Sequence, residues 1–324
     1  MSLLEVQDLT VTIHQDGTAT DLVRDISYTI KPGETLALVG ESGSGKSVSS
    51  LAVMGLLAKS LNVTSGSVTF DGQDLLSLSK DEMRKIRGRD ISMVFQEPMT
   101  SLNPVRSIGS QIIESIEQNL NLTRVQAQSR ALDLLKEVGV ADPERRLKQY
   151  PHHFSGGMRQ RVMIAIALAA DPKLIIADEP TTALDVTIQA QILELMARVC
   201  RAHGTAMVLI THNLGIVARY ADQVNVMYAG RIVEAGKARD IYTAPRHLYT
   251  DGLLRSIPRL DQDRKAPLRP IPGNPADPFT NISGCRFHPR CDHAQAPCRD
   301  MVPDFKNGLA CHFPLEVAQK GTRP

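Results

Sequence analysis

The stretch Gly40-Glu41-Ser42-Gly43-Ser44-Gly45-Lys46-Ser47 lies between the apolar run Thr35 to Val39 and the alternating Ser/apolar segment Val48 to Leu57. A G-x-x-x-x-G-K-S pattern between a strand and a helix is typical of a phosphate-binding loop, because backbone N–H groups and the helix N-terminus surround the phosphates of a nucleotide. Lys46 can reach the β and γ phosphates, and the Ser47 hydroxyl can bind Mg²⁺. The predicted nucleotide contacts are Gly40, Ser42, Gly43, Gly45, Lys46, Ser47 and Val48. A Gly/Ser-rich turn that caps an ordinary helix is the alternative interpretation.

The size and composition of the chain indicate one large domain and a smaller unit. With 324 residues, of which 42% are hydrophobic, the chain can bury a full α/β core and still form a tail. The formal net charge is +2, and no run of five or six like charges occurs. Because nucleic-acid-binding domains carry a concentrated basic surface, we predict no nucleic-acid partner.

The N-terminus and the hydropathy pattern predict a soluble, cytoplasmic chain. Met1 to Thr10 contains acidic residues and no apolar core segment, so we predict no signal peptide. No uncharged stretch reaches the roughly 18 residues that a membrane-spanning helix needs. If the protein serves a membrane, we expect it to act there through a partner.

The first half of the chain contains two strand patterns and one helical pattern. Leu3 to Ile13 and Leu22 to Ile30 alternate apolar and polar residues, which predicts an antiparallel pair with one solvated face. Ser65 to Leu76 predicts a hairpin with Asp71-Gly72 as its turn. Residues from Glu97 to Tyr150 show a helical period, which indicates either a helical insert or helices packed against the main sheet.

The second half contains the pattern of an open α/β sheet. Leu174 to Ala177 and Ala206 to Ile210 are short apolar runs, as expected for parallel strands buried on both faces. Between them, Thr187 to His203 predicts an amphipathic helix that ends at Gly204. Strands that alternate with helices predict a doubly wound sheet around the phosphate loop.

Two carboxylates follow the first of these buried strands. Asp178 and Glu179 come at its C-terminal end, where ligands bind in open α/β sheets. We predict that Asp178 binds Mg²⁺ opposite Ser47 and that Glu179 accepts a proton from the water that attacks the γ-phosphate. Taken alone, a plain strand exit into a turn explains Asp178-Glu179-Pro180 equally well.

A second anion-binding helix end is predicted at Phe154-Ser155-Gly156-Gly157. Ser155 is a good N-cap, and Gly156 and Gly157 expose backbone N–H groups at the start of the helix from Met158 to Ala170. One nucleotide does not need two phosphate-binding helix ends. Both make sense if ATP is held between two chains.

With these motifs in this order, residues 1 to about 255 resemble the ATP-binding cassette (ABC) family. The resemblance implies an ABC nucleotide-binding domain with a RecA-like core sheet, an antiparallel β subdomain and a helical subdomain at about 97–160. It also implies roles for Gln96 as the glutamine that contacts Mg²⁺ or the attacking water, for Asp185 in the loop that crosses the dimer interface, and for His212 as the histidine that hydrogen-bonds the γ-phosphate. The family usually stacks adenine on an aromatic residue, but none precedes Tyr28, and His14 or Ile13 falls closest to that place.

A finer resemblance is to the ATPase subunits of dipeptide, oligopeptide and nickel importers, most of all the dipeptide type. It rests on Glu97 to Pro104, on Ala177 to Thr187 and on Pro245 to Thr250, where His247-Leu248-Tyr249 stands in place of the frequent His-Pro-Tyr. The implied partners are a second ATPase subunit, identical or paralogous, two transmembrane permease subunits and an extracytoplasmic solute-binding protein. The implied location is the cytoplasmic face of the cell membrane.

The tail carries four of the five cysteines. Six prolines between Pro258 and Pro278 interrupt regular structure, so we place an ATPase domain at 1–257 and the tail at 258–324. Few apolar residues surround the cysteines, and a segment without an apolar core needs a stabilising cross-link. The Cys-x-x-Cys pairs that usually bind zinc do not occur. The four cysteines are Cys285, Cys291, Cys298 and Cys311.

The pattern from Gly284-Cys285 through Pro289-Arg290-Cys291 to Cys311-His312 resembles peptide-importer tails that hold a [4Fe-4S] cluster, and four thiolates suit such a cluster. Zinc, or no metal, is the alternative. Cys200, alone in an amphipathic helix, is predicted to be a packing residue.

The sequence therefore predicts an ATPase that uses ATP and Mg²⁺ to drive a membrane importer for dipeptides or short oligopeptides. Nickel or another small solute as substrate is the first alternative. A soluble ATP-driven clamp in DNA repair or translation is the second, although the long heptad insertion of the DNA clamps is missing between the phosphate loop and Tyr150.

Overall fold

The computed structural model describes residues 1–15, 17–96, 101–182, 184–257 and 270–316. The chain forms two compact units. Unit 1 comprises residues 1–4, 30–35 and 70–210, and unit 2 comprises residues 5–29, 36–69 and 211–324. Within the described ranges, no helix combines the length and the apolar character needed to cross a bilayer.

The strands are β1 (Leu4–Gln15), β2 (Thr18–Ile30), β3 (Thr35–Val39), β4 (Leu61–Phe70), β5 (Gln73–Asp74), β6 (Ile91–Val94), β7 (Leu174–Asp178), β8 (Ala206–Thr211), β9 (Gln223–Tyr228) and β10 (Arg231–Lys237). The helices are α1 (Lys46–Val53), α2 (Lys80–Ile86), α3 (Ile108–Asn119), α4 (Arg124–Glu137), α5 (Pro143–Arg146), α6 (Gly156–Ala167), α7 (Val186–His203), α8 (Leu214–Tyr220), α9 (Ala238–Thr243), α10 (Leu248–Arg255) and α11 (Ala296–Asp300).

Unit 1 is built on three parallel strands in the order β8-β7-β6. Strand β7 pairs in register with β6 from Leu174 to Ala177 and with β8 from Leu174 to Asp178. All five residues of β7 are buried. Because parallel strands are covered on both faces, the continuous apolar run was a sufficient signal, and both predicted strands are confirmed.

The helical pattern of unit 1 is also confirmed. Helix α3 is N-capped by Ser107, and helix α4 starts with a complete capping box formed by Thr123 and Gln126. The two helices pack against each other and against α6, which in turn packs against β6. Residues Glu97–Thr100, on which part of the importer resemblance rests, lie outside the described residues. The apolar face of α3 is buried at Ile108, Ile112, Ile113 and Ile116.

Unit 2 contains the phosphate-loop strand. Strand β3 pairs in parallel with β9, from Leu36 opposite Gln223 to Val39 opposite Val226, and β9 pairs antiparallel with β10. Strands β1 and β2 are neighbours. Contacts between Asp8 and Ser27 and between Thr12 and Asp21 run in opposite directions along the two strands, so the predicted antiparallel pair is confirmed.

The described part of the tail, residues 270–316, belongs to unit 2 and has little regular structure. It contains a 3₁₀ turn at His288–Arg290 and the short helix α11. Backbone hydrogen bonds connect it to β10, from Ala235 N to Gly308 O (2.8 Å) and from Ala310 N to Val233 O (2.9 Å). The described part of the tail is therefore hydrogen-bonded to strand β10 of unit 2.

Phe287 fixes the tail to the body of unit 2. Its ring is 4% exposed and lies 5.2 Å from Tyr228, 5.4 Å from Tyr249 and 5.6 Å from His247, measured between ring centroids. Burying one such aromatic side chain stabilises the folded state by about 1.5–3 kcal/mol. This aromatic cluster replaces the apolar core that the tail itself lacks.

Candidate functional site

The predicted phosphate loop, in unit 2, has positive φ angles at three of its glycines. Gly40, Gly43 and Gly45 have φ of 154°, 78° and 98°. A Cβ at Gly40 would lie 2.2 Å from the carbonyl oxygen of Met227, which no real side chain tolerates. Glycine is therefore required at Gly40 both for conformation and for space.

Lys46 is held inside this loop. Its Nζ donates to the carbonyl oxygens of Gly40 and Glu41 at 2.8 Å each and to Ser44 Oγ at 3.2 Å, and the residue is 4% exposed. A buried ammonium with this set of partners has few accessible positions, so the charge stays at the loop. Other predicted contacts have more solvent access, with Ser42 and Gly43 exposed and Ser47 and Val48 half-buried.

Two further predicted residues also lie in unit 2. His212 directly follows strand β8 and is exposed, and the next backbone N–H, from Asn213, donates to Thr211 Oγ1 at 3.1 Å. His14 is exposed near the end of β1, where its backbone N–H donates to Ser60 O at 3.0 Å. The remaining predicted nucleotide-site residues, Gln96, Ser155, Gly156, Gly157, Asp178, Glu179 and Asp185, lie in unit 1.

The end of strand β7 carries the predicted carboxylates. Asp178 is the last residue of the strand and is 7% exposed. Glu179 has φ of 44°, a left-handed backbone conformation that few non-glycine residues adopt, and its N–H donates to Ile210 O at 3.0 Å. Such strain clusters at functional sites, where the surrounding structure maintains it.

The carboxylate of Glu179 is held by two side chains. Its Oε2 accepts from Gln96 Nε2 at 3.2 Å and from Thr182 Oγ1 at 2.7 Å. The structure thus brings together two residues predicted separately, 83 positions apart in sequence. Thr182 was missed, although its place three residues after Glu179 is a spacing at which hydroxyl side chains often bond back to a turn.

The Ser-Gly-Gly turn starts helix α6 as predicted. Ser155 Oγ accepts from Met158 N at 3.4 Å, which makes Ser155 the N-cap. A Cβ on Gly156 would lie 3.2 Å from Leu184 Cδ2, and one on Gly157 would lie 2.9 Å from Ile188 Cγ2. The glycines therefore also allow the start of α7 to approach.

Asp185 occupies the N-cap position of α7, but its side chain makes no capping bond and is exposed. A residue at an N-cap that leaves the capping role unused is available for another contact. Ala183, which precedes it by two positions, lies outside the described residues.

The four tail cysteines line one small cavity in unit 2. Cys298 is buried and the other three are half-buried. Burial raises the pKa of Cys311 to about 11 and also raises those of Cys285 and Cys291, so these thiols are neutral near pH 7. Across the residues that the structure describes, no three His, Cys, Asp or Glu side chains are arranged to hold a metal ion.

His247 lines the same cavity. Its Nδ1 accepts from Tyr249 N at 3.0 Å, so the ring hydrogen sits on Nε2 when the ring is neutral. Burial lowers the pKa of His247 to about 4, which keeps it neutral at physiological pH. Its buried Nε2 has no hydrogen-bond partner among the described residues.

Cys200 is separate from this group. It is 4% exposed in helix α7, and burial raises the pKa of its thiol to about 12. A buried, protonated thiol behaves as a small apolar side chain, as predicted.

Two families of known proteins match the chain. The ABC transporter family matches residues 23–182, and the family described as oligopeptide/dipeptide transporter, C-terminal region, matches residues 233–298. The dipeptide transport ATP-binding protein DppD of Bacillus subtilis is 50% identical over 93% of this chain and 90% of its own. DppD of Escherichia coli is 48% identical over 99% of this chain and 100% of its own. The chain belongs to the ABC transporter ATPase family.

Another relative and two solved structures agree with this assignment. The oligopeptide transport ATP-binding protein OppD of Salmonella typhimurium is 48% identical over 97% of this chain and 94% of its own. The dimeric ATP-binding cassette MJ0796 bound to ADP and Pi gives a TM-score of 0.65 at 28% identity, over 73% of this chain and 99% of that one. The cassette cbiO1 of Clostridium perfringens gives 0.64 at 28% identity, over 74% and 90%. The predicted ABC nucleotide-binding fold is confirmed.

As an ABC ATPase, the chain binds and hydrolyses ATP with Mg²⁺. An attacking water must lose a proton, and a carboxylate held in a fixed orientation is the type of group that accepts it. The loop from Gly40 to Ser47 presents backbone N–H groups and a buried ammonium, which are groups of the kind that can balance the charge of a triphosphate.

The phosphate loop of this ABC ATPase is also bound by groups far along the chain. Glu41, the second residue of the loop motif, receives a bidentate ion pair from Arg290 at 2.7 and 3.1 Å. The Glu41 N–H donates to Tyr249 Oη at 2.8 Å. Arg290, which binds Glu41 of the loop, is the neighbour in sequence of Cys291, which lines the cysteine cavity.

Proposed function

We propose that this chain is the ATP-hydrolysing subunit of an ABC importer for dipeptides or short oligopeptides. The supporting observation is its 48–50% identity, over nearly the full length of both chains, to dipeptide and oligopeptide transport ATP-binding proteins. The match to the oligopeptide/dipeptide C-terminal family gives separate support, because residues 233–298 lie outside the part of the chain that matches the ABC transporter family.

In the proposed reaction, Glu179 is the general base. Gln96 and Thr182 hold its carboxylate through hydrogen bonds of 3.2 and 2.7 Å, which fixes the orientation of the oxygen that takes the proton of the water. Mg²⁺, when bound, neutralises charge on the phosphates, and the oxygen donors Ser47 and Asp178 suit its preference for oxygen ligands. Lys46 and His212 would contact the γ-phosphate.

The proposed assembly contains two cassettes. Ser155, Gly156 and Gly157 would bind the nucleotide of a second ATPase subunit, identical or paralogous, and Asp185 would contact that subunit. Two permease subunits in the membrane and an extracytoplasmic solute-binding protein would complete the importer, with this chain on the cytoplasmic face. His14 would contact the nucleotide near its adenine.

We also propose that the cysteine cavity holds a [4Fe-4S] cluster. Four cysteines around one cavity match the ligand set of such a cluster. The lone Nε2–H of His247 in the wall is a donor that a cluster sulfur would satisfy. Among the described residues there is no group arranged to hold a single metal ion, and a cluster does not need one, because it attaches each thiolate to a different iron and so holds the sulfurs further apart.

The cluster is tested by analysing the full chain purified under oxygen exclusion. We expect iron and acid-labile sulfide at about four atoms each per chain, and loss of both in Cys298→Ser. Cys200→Ser is the matched control and should keep the full content, because Cys200, in helix α7, is not among the residues that line the cavity. Stoichiometric zinc without iron or sulfide would refute the cluster.

The transport function is tested by uptake in cells that lack this chain. Labelled dipeptides, longer peptides, nickel and a free amino acid are supplied side by side. We expect uptake of dipeptides or short peptides to fall to background while amino-acid uptake is unchanged. Loss of nickel uptake alone would change the proposed substrate, and no transport defect at all would refute the importer role.

A further inference from the structure

A second cavity in unit 2 is lined by three arginines. Arg24 from β2, Arg231 from β10 and Arg286 from the tail contribute to its wall. Much of the remaining wall is apolar, including Val233 and Val302. The cavity has about 530 Å³ of space including its open mouth, and none of its lining residues is Asp or Glu. None belongs to the phosphate loop either.

Two of the three guanidinium groups keep a buried N–H without a partner. The Nε of Arg24 and the Nε of Arg286 are buried and hydrogen-bond to no residue in the part of the chain that the structure describes. Arg286 is 9% exposed, and its Nη2 donates to Thr280 O at 2.9 Å. Both side chains line the cavity, so the protein leaves part of the hydrogen-bonding capacity of these two cavity-wall guanidinium groups unused.

The arginine charges around the cavity also favour an anion there. Burial, and then the neighbouring charges of Arg24 and Arg231, lower the pKa of Arg286. Three nearby carboxylates lie outside the lining: that of Asp25 is already paired with the cavity residue Arg231, and those of Asp21 and Asp277 accept hydrogen bonds from other groups. Asp25 pairs with Arg231 at 3.0 Å and Asp21 accepts from Thr12 Oγ1 at 2.7 Å. Asp277 accepts from Phe279 N at 3.0 Å.

We propose that this cavity binds a small oxyanion carried on an apolar group, either a carboxylate or a phosphate monoester. The oxyanion would accept from the guanidinium groups of Arg24 and Arg286 in the cavity wall, since guanidinium groups recognise such oxygens with charge-assisted hydrogen bonds. The apolar substituent would lie against Val233 and Val302.

The test is calorimetry on the full chain with saturating Mg-ADP, which keeps the phosphate loop filled so that it cannot bind the probes. Benzoate and phenyl phosphate distinguish the two oxyanions, and benzamide is the neutral probe of the same shape. We expect at least one anion to bind and benzamide not to bind. Arg286→Met should weaken that binding by about tenfold to a hundredfold, as expected for losing charge-assisted hydrogen bonds.

Two further variants make the result decisive. Arg84→Met removes a guanidinium whose side chain is 81% exposed and should leave anion binding unchanged. Arg24→Met is the second cavity variant and should weaken binding like Arg286→Met, and ADP affinity in each variant shows that the nucleotide site is intact. Absence of binding by both anions, equal binding of benzamide, or undiminished binding in both cavity variants would overturn the proposal.

Discussion

Glu179→Gln is expected to stop ATP turnover while ATP binding is unchanged. The amide has the shape of the carboxylate and can still accept from Thr182 and Gln96, which hold Glu179 at 2.7 and 3.2 Å. It cannot accept a proton from water, so the rate of hydrolysis should fall by about 10² to 10⁴. The measurement is steady-state phosphate release by the assembled transporter, with ATP affinity measured in parallel.

A matched control for this variant is Glu117→Gln. Glu117 is a surface carboxylate that pairs with Arg124 at 2.9 Å in the helical part of unit 1, so its loss should leave the rate within the error of the assay. Hydrolysis at the normal rate in Glu179→Gln would remove Glu179 from the role of general base. A parallel loss of ATP binding would instead indicate a structural role.

Arg290→Ala is expected to weaken ATP binding about tenfold. The Arg290 side chain is 5% exposed and that of Glu41 is 25% exposed. Burial opposes the charge on Arg290, but its hydrogen bonds to Glu41 and Tyr228 outweigh that effect, so its pKa lies above the ordinary value. Without Arg290, an uncompensated carboxylate remains beside the phosphate loop and repels the triphosphate. At an effective dielectric constant near 20, such a repulsion is about 1–2 kcal/mol.

The charge on Glu41 can be separated from the packing of Arg290. In the double variant Glu41→Gln with Arg290→Ala, the repelling charge is gone, so ATP affinity should recover toward that of the unaltered protein. Arg255→Ala is the control, because the Arg255 side chain is 59% exposed and pairs with Asp251 rather than with Glu41. Equal loss of affinity in the single and double variants would show that packing, not charge, connects the tail to the loop.

Local patterns in the sequence were sufficient for the elements that local physics determines. The phosphate loop could be predicted because glycines at Gly40 and Gly45 satisfy conformational demands that no other residue meets. Ser155 could be predicted as an N-cap because its hydroxyl oxygen and the backbone N–H of Met158 that donates to it are three residues apart. The amphipathic helix predicted from Thr187 to His203 is confirmed as α7, which buries Ile192, Leu193, Met196 and Val199. Ile188 is half-buried at the start of that helix, near Gly157.

The missed contacts are those that join distant parts of the chain. Arg290 reaches Glu41 across 249 positions, and Tyr249 reaches it across 208. Neither periodicity nor motif spacing predicts such a pairing, because nothing in the sequence next to either residue indicates its distant partner. The same holds for the three arginines of the second cavity, which lie on two strands and in the tail, and which only the folded chain places together.

The central claim is that ATP hydrolysis by this chain drives peptide uptake. Cells that lack the chain are supplied with either the unaltered protein or Glu179→Gln at equal abundance, and uptake of a labelled dipeptide is measured. We predict that the unaltered protein restores uptake and that the variant leaves it at background. Full restoration by Glu179→Gln would contradict the account, because transport would then not depend on the carboxylate that Gln96 and Thr182 hold.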